Sequence, residues 1–77
     1  MRLIYDSRAD VLSLRLRSAK IGSSEDLDDG VTLILDDDGR VMGVDFSKAR
    51  SRLTLEELTT VSYENAGTKQ RATLKLP

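Results

Sequence analysis

Through the first two thirds of the chain, apolar residues recur at every second position in short stretches, and only the last third changes period. In VLSLRLR (residues 11–17), Leu12, Leu14 and Leu16 share one side of an extended strand, and Ser13, Arg15 and Arg17 share the other. Residues 2–5 read as a short strand before it, joined by the SRAD turn, so the pair predicts a half-buried antiparallel hairpin. The next segment, AKIGSSEDLDDG, is polar, holds Ile21 and Leu27 as its only sizeable apolar residues, and reads as a surface connection. VTLILD then sets Val31, Leu33 and Leu35 on one face; after the DDGR turn, VMGVDF sets Met42, Val44 and Phe46 together as the return strand of a second hairpin.

The period shifts in TLEELTTVSYENAG. Thr54 and Glu57 have capping-box spacing, Leu55, Leu58 and Val61 recur as on a helix face, and Gly67 stands where a C-cap glycine would, which predicts a helix over residues 54–66. The basic SKARSRL before it reads as a helical turn or an irregular link. Residues 71–76 alternate again and predict a C-terminal strand added to the sheet edge. The fold class is therefore α+β in a single domain, residues 1–77: a small antiparallel sheet of two hairpins (about residues 2–46), one helix and a C-terminal strand. Ile34 and Ile4 break the alternation, since each puts an apolar side chain on the face that should be polar. A sheet apolar on both faces needs covering on both, by the helix on one and a second copy on the other, so a homodimer is expected.

Composition sharpens this picture. With 77 residues there is room for one modest core, and a domain of about 60 residues buries only about 60% of its unfolded surface. The chain has no cysteine and no histidine, which removes disulfides, thiolate metal sites, cysteine nucleophiles and the commonest general base. No apolar run approaches the roughly 18 residues of a membrane span, and the MRLIYDSR start is too short in apolar length for a signal peptide, so the expected location is cytoplasmic.

Twelve basic and thirteen acidic residues give a net charge of −1, which disfavours nucleic acid as a partner. The distribution says more: residues 25–45 hold Glu25, Asp26, Asp28, Asp29, Asp36, Asp37, Asp38 and Asp45 against Arg40 alone, a locally negative region suited to a basic partner. The Asp36–Asp37–Asp38–Gly39 run invites comparison with a calcium loop. With Gly39 at loop position 6, Asp36, Asp38 and Asp45 fall at ligand positions, but Ile34 occupies position 1, and a strand carries Asp45 about 20 Å from the turn. Asp-Gly between alternating strands is instead a hairpin signal, because aspartate tolerates and glycine favours positive φ.

Asp6 and Asp10 flank the first turn, either as a carboxylate pair for acid/base work or as acceptors for turn N–H groups. Glu56 and Glu57 sit where a helix dipole favours acids. Ser7, Ser23, Ser24, Ser47 and Ser51 have no histidine to activate them. Arg15, Arg17, Lys48, Arg50 and Arg52 could meet phosphate or simply be solvated, and with Tyr5, Phe46 and Tyr63 the only aromatic residues there is no stacking platform for bases.

YDSRADVLSLRL followed by DLDDGVTLILDDDGRVMGVDFSKA resembles the small bacterial YuzE-like family of domains of unknown function, over residues 3–49. The likeness rests on Tyr5, Asp6, Asp10, Leu12, Leu14, Asp29, Gly30, Asp37, Gly39 and Gly43, with Ser13 in place of the family's usual tyrosine and Asp45 in place of its usual glutamate. The resemblance implies a compact β-rich fold with a helix, brings no established activity, and suggests an antitoxin-like role beside a small basic toxin. Three readings stand. The first is a non-enzymatic, homodimeric protein-binding module without a cofactor. The second is a small-ligand or divalent-cation binder or enzyme using the aspartate clusters, and the third a nucleic-acid-binding regulator. The candidate interaction positions are Asp6, Asp10, Asp29, Asp37, Asp38 and Asp45.

Overall fold

The computed structural model describes residues 1–76. In chain order the elements are β1 (Arg2–Asp6), β2 (Val11–Arg15), β3 (Ile21–Asp28), β4 (Val31–Asp36), β5 (Val41–Phe46), α1 (Ala49–Arg52), α2 (Leu55–Thr59), β6 (Thr60–Asn65) and β7 (Gln70–Lys75). The first five strands form one sheet in the order β1-β2-β5-β4-β3, and β6 and β7 form a separate hairpin. Every pairing is antiparallel.

Both predicted hairpins are present, and their register sorts the side chains. Across β1, β2, β5 and β4, one row runs Leu3, Leu14, Val44, Leu33 and the next runs Tyr5, Leu12, Phe46, Val31. Directly opposed residues share a face, so these eight apolar side chains line one side of the sheet. The other side carries the rows Ile4, Ser13, Asp45, Thr32, Asp26 and Arg2, Arg15, Gly43, Ile34, Ser24. A bulge where Leu35 pairs with Val41 leaves Met42 as the extra residue of β5.

Three expectations are corrected. The segment expected to be a polar connection contains β3, an eight-residue edge strand with every residue exposed. It escapes a periodicity search because an edge strand that buries neither face needs no apolar alternation. The helix expected over residues 54–66 is only α2, five residues long. Its start is where the capping box puts it: Thr54 Oγ1 accepts from Glu57 N at 3.1 Å and Glu57 Oε1 accepts from Thr54 N at 2.9 Å. After Thr59, the last residue of α2, the chain enters β6, where the β-branched Thr60 and Val61 and the aromatic Tyr63 favour extension over another helical turn. Gly67 is no C-cap but part of the β6–β7 loop, its N–H bonded to Asn65 Oδ1 at 3.0 Å. Finally, β7 joins β6 and not the edge of the main sheet. The basic SKARSRL segment holds the single turn α1.

Burial is the unexpected feature. Among the described residues only Ile34, Met42, Ala49 and Leu58 are buried apolar residues, and Ile34, out of place in the alternation, is 6% exposed. None of the eight side chains on the regular apolar face is buried. The accessible surface is 6034 Å², against about 4,700 Å² for a folded monomer of this mass.

Candidate functional site

The turns show why the aspartates stand where they do. Asp6 Oδ1 accepts the N–H groups of Arg8 at 2.9 Å and Ala9 at 3.2 Å, which closes the first turn. Asp10, at φ 56°, has a different task. Its Oδ1 accepts the Tyr5 hydroxyl at 2.8 Å and the Arg50 N–H at 3.0 Å, with Arg50 Nε at 3.3 Å, and its carbonyl accepts Ala49 N–H at 3.0 Å. This one residue fastens α1 to the first hairpin. Partial desolvation pushes its carboxyl up, but the Tyr5 and Arg50 hydrogen bonds and the Arg50 charge outweigh that and hold it below its ordinary value. Tyr5 is correspondingly raised, by desolvation and then by its bond to Asp10. Asp6 and Asp10 thus have separate structural partners, one closing the first turn and the other holding Tyr5 and Arg50.

In the DDDG turn the residue that matters is Asp36, which is buried. Oδ1 accepts the N–H groups of Asp38 and Arg40, both at 2.9 Å, and Oδ2 accepts Arg17 Nη2 at 2.5 Å. The Arg40 N–H, then the Arg17 guanidinium, depress its carboxyl below the ordinary range. Gly39 supplies the left-handed residue at φ 77°, with its N–H on the Asp36 carbonyl at 3.0 Å, so only the glycine uses the positive φ that the sequence offered to both. Asp37 and Asp38 are exposed, and among the described residues their carboxylates accept no hydrogen bond. The sequence candidates include these two and omit Asp36, although the i, i+2 and i, i+4 acceptor geometry of an aspartate before a glycine turn is available as a signal.

Asp45 lies 2.6 Å from Arg15 Nη1 across the β2–β5 pair. Asp29 contributes its carbonyl oxygen, which accepts from Arg52 Nη2. The candidate aspartates are therefore distributed over separate turns and one cross-strand pair. Among the described residues no three acidic side chains gather into a set that could hold a metal ion. The same pairs bear on the nucleic-acid reading, because Arg15 and Arg17 are engaged by Asp45 and Asp36. Arg2, Arg15 and Arg17 rim a groove of about 320 Å³ with Ile4, Ile21 and Met42 among its lining. Among the described residues no helix is long and apolar enough to cross a membrane.

The depressed carboxyls of Asp36 and Asp10 give a pH prediction. A group whose folded pKa lies below its unfolded value, about 3.9 for aspartate, stabilises the fold above that value and loses the contribution as pH falls through the folded pKa. The urea midpoint should hold steady from pH 7 to about 5 and fall steeply below pH 4. Asp36→Asn should start lower at pH 7 and fall less with acid; an unchanged acid slope would show that Asp36 is not a main source of it.

Two surfaces remain as candidates, and both are physical in kind: an apolar sheet face that is only partly covered, and an acidic edge strand, β3, carrying Glu25, Asp26 and Asp28 with no basic residue. No curated protein and no solved structure matches the chain. A family model does match, the protein of unknown function DUF2283, over residues 2–50. That span runs from the first strand through the central sheet to the start of α1, and it contains all the residues on which the YuzE-like resemblance rests. With well over half its length matched, the chain belongs to the DUF2283 family.

Proposed function

We propose that this chain is a non-enzymatic protein-interaction module that works as a homodimer through its apolar sheet face and offers its acidic β3 edge to a basic extended segment. The observation that carries this reading is the face itself. Leu3, Tyr5, Leu12, Leu14, Val31, Leu33, Val44 and Phe46 line one side of four strands of the sheet, with Glu25 and Asp28 of β3 at the border of that face, and none of the eight is buried. Leu3 is exposed and the other seven are only partly covered, so a contiguous apolar face stays incompletely buried, which soluble monomers rarely keep. The surface excess over a compact monomer, roughly 1,300 Å², is of the order that each partner buries in a homodimer. Sheet-on-sheet packing would bury the two copies of this face against each other about 10 Å apart.

The β3 edge supports the second half of the proposal. It has an unpaired row of backbone donors and acceptors and an acidic set of side chains, so it suits a positively charged strand added to the sheet. A small basic toxin would be one such partner, which makes the reading antitoxin-like. The test is the mass of the purified chain by light scattering. Twice 8.5 kDa is expected, and a monomer at 8.5 kDa that stays folded at micromolar concentration would remove the dimer.

A further inference from the structure

Among the described residues four strand edges are open: β1 and β3 at the two ends of the main sheet, and both strands of the β6–β7 hairpin. Their charges differ. β1 is balanced by Arg2 and Asp6, and β6 carries only Glu64. β3 carries Glu25, Asp26 and Asp28 and nothing basic, whereas β7 carries Arg71 and Lys75, preceded by Lys69, and nothing acidic. Like edges repel and these two attract.

A second observation concerns the hairpin. β6–β7 is a two-stranded unit outside the main sheet, every residue of β7 is exposed, and Tyr63, Leu74 and Leu76 are among the most exposed large apolar side chains. A two-stranded hairpin is marginal in water and gains stability from a third strand. Among the described residues β7 has no third strand beside it, and its ion pair, Lys75 to Glu56 at 3.7 Å, joins two exposed side chains.

We infer that β7 of one copy pairs antiparallel with the β3 edge of a second copy, and that the exchange is reciprocal. This rests on the homodimer proposed above and names the basic segment that the acidic edge receives: a strand of the same protein. In β3 the stretch Ser23 to Asp26 keeps regular register between two irregularities, which gives β7 four residues of undistorted backbone to meet. β7 itself pairs with β6 without a shift. Reciprocity closes the assembly at two copies, since each contributes one acidic edge and one basic strand. The acidic side chains also prevent the wrong pairing, because two β3 edges would set carboxylates opposite one another.

Charge reversal tests this. One variant carries Arg71→Glu and Lys75→Glu, making both edges acidic; the other carries Glu25→Lys and Asp26→Lys, making both basic. All four positions are exposed, so circular dichroism should show each variant folded. By sedimentation equilibrium each variant alone should self-associate at least tenfold more weakly than the natural chain. An equimolar mixture should regain the natural affinity as a mixed dimer, because both β3–β7 contacts are then complementary. If either variant alone self-associates as tightly as the natural chain, the strand contact is absent and the dimer rests on the sheet face, so the inference falls and the proposed function stands. If both variants weaken and the mixture fails to recover, the effect is not β3–β7 pairing and the inference falls. A natural chain that is itself monomeric removes both.

Discussion

Gly43→Ala should destabilise the fold by about 3 kcal/mol, the upper end of what overpacking usually costs. Gly43 lies in the central strand β5, opposite Arg15 on β2 and Ile34 on β4. A Cβ built there meets the Leu14 carbonyl oxygen far inside van der Waals contact, with Arg15 Nη1 at 2.9 Å and Arg15 Cδ at 3.0 Å. The arginine could swing away, but it would then leave Asp45. The carbonyl cannot move without parting β2 from β5. A domain of this length has a total stability of roughly 4–12 kcal/mol, so the loss is a large share of it. Gly67→Ala is the contrast: its Cβ would meet only Asn65 Oδ1, at 3.4 Å, and its cost should be within about 0.5 kcal/mol. Urea unfolding of the two variants beside the natural chain checks both. Equal midpoints would show that the strands yield at Gly43 as easily as a loop does.

On the homodimer proposed above, Leu14→Asp should weaken self-association by about 100-fold or more, near 3 kcal/mol, because a lone carboxylate buried at an interface is uncompensated and a two-fold interface would carry it twice. Leu14 sits between Leu3 and Val44 in the first apolar row and is half-buried in the single chain. If the chain were complete alone, the substitution would lower the urea midpoint of the single chain but leave its mass unchanged. Leu55→Asp serves as the comparison, since Leu55 is 71% exposed and lies off the sheet. It should leave the mass and the midpoint almost unchanged. Light scattering over a dilution series separates the two outcomes.

The parts of the fold legible in the sequence are those where local chemistry and burial agree. The β1–β2 and β4–β5 hairpins arise from period-two alternation and from turn residues, and the capping box at Thr54 and Glu57 marks a true helix start. The early end of that helix is not legible, because Leu55, Leu58 and Val61 fit a helix face while Thr59, Thr60 and Val61 also fit a strand. Of Leu55 and Leu58 only Leu58 is buried, so little packing holds a longer helix. β3 is invisible for the opposite reason, since a strand paired along one edge and wet on both faces leaves no apolar trace. The candidate site is legible as chemistry and not as geometry. Composition along the chain shows where carboxylates concentrate, but Asp36 turns inward to bind a turn and an arginine while Asp37 and Asp38 stay in water. Nothing in the run of three distinguishes them until the turn is closed around one.

On the proposed reading, the four apolar residues buried among the described residues of a single chain are too small a core and a second copy supplies the rest. Urea unfolding across a hundredfold range of protein concentration tests this most directly. If folding is tied to dimerisation, the midpoint rises with concentration, by the equivalent of about 2.8 kcal/mol over that range. A sharp transition whose midpoint stays fixed while the mass remains that of one chain would contradict the dimer and the core it completes.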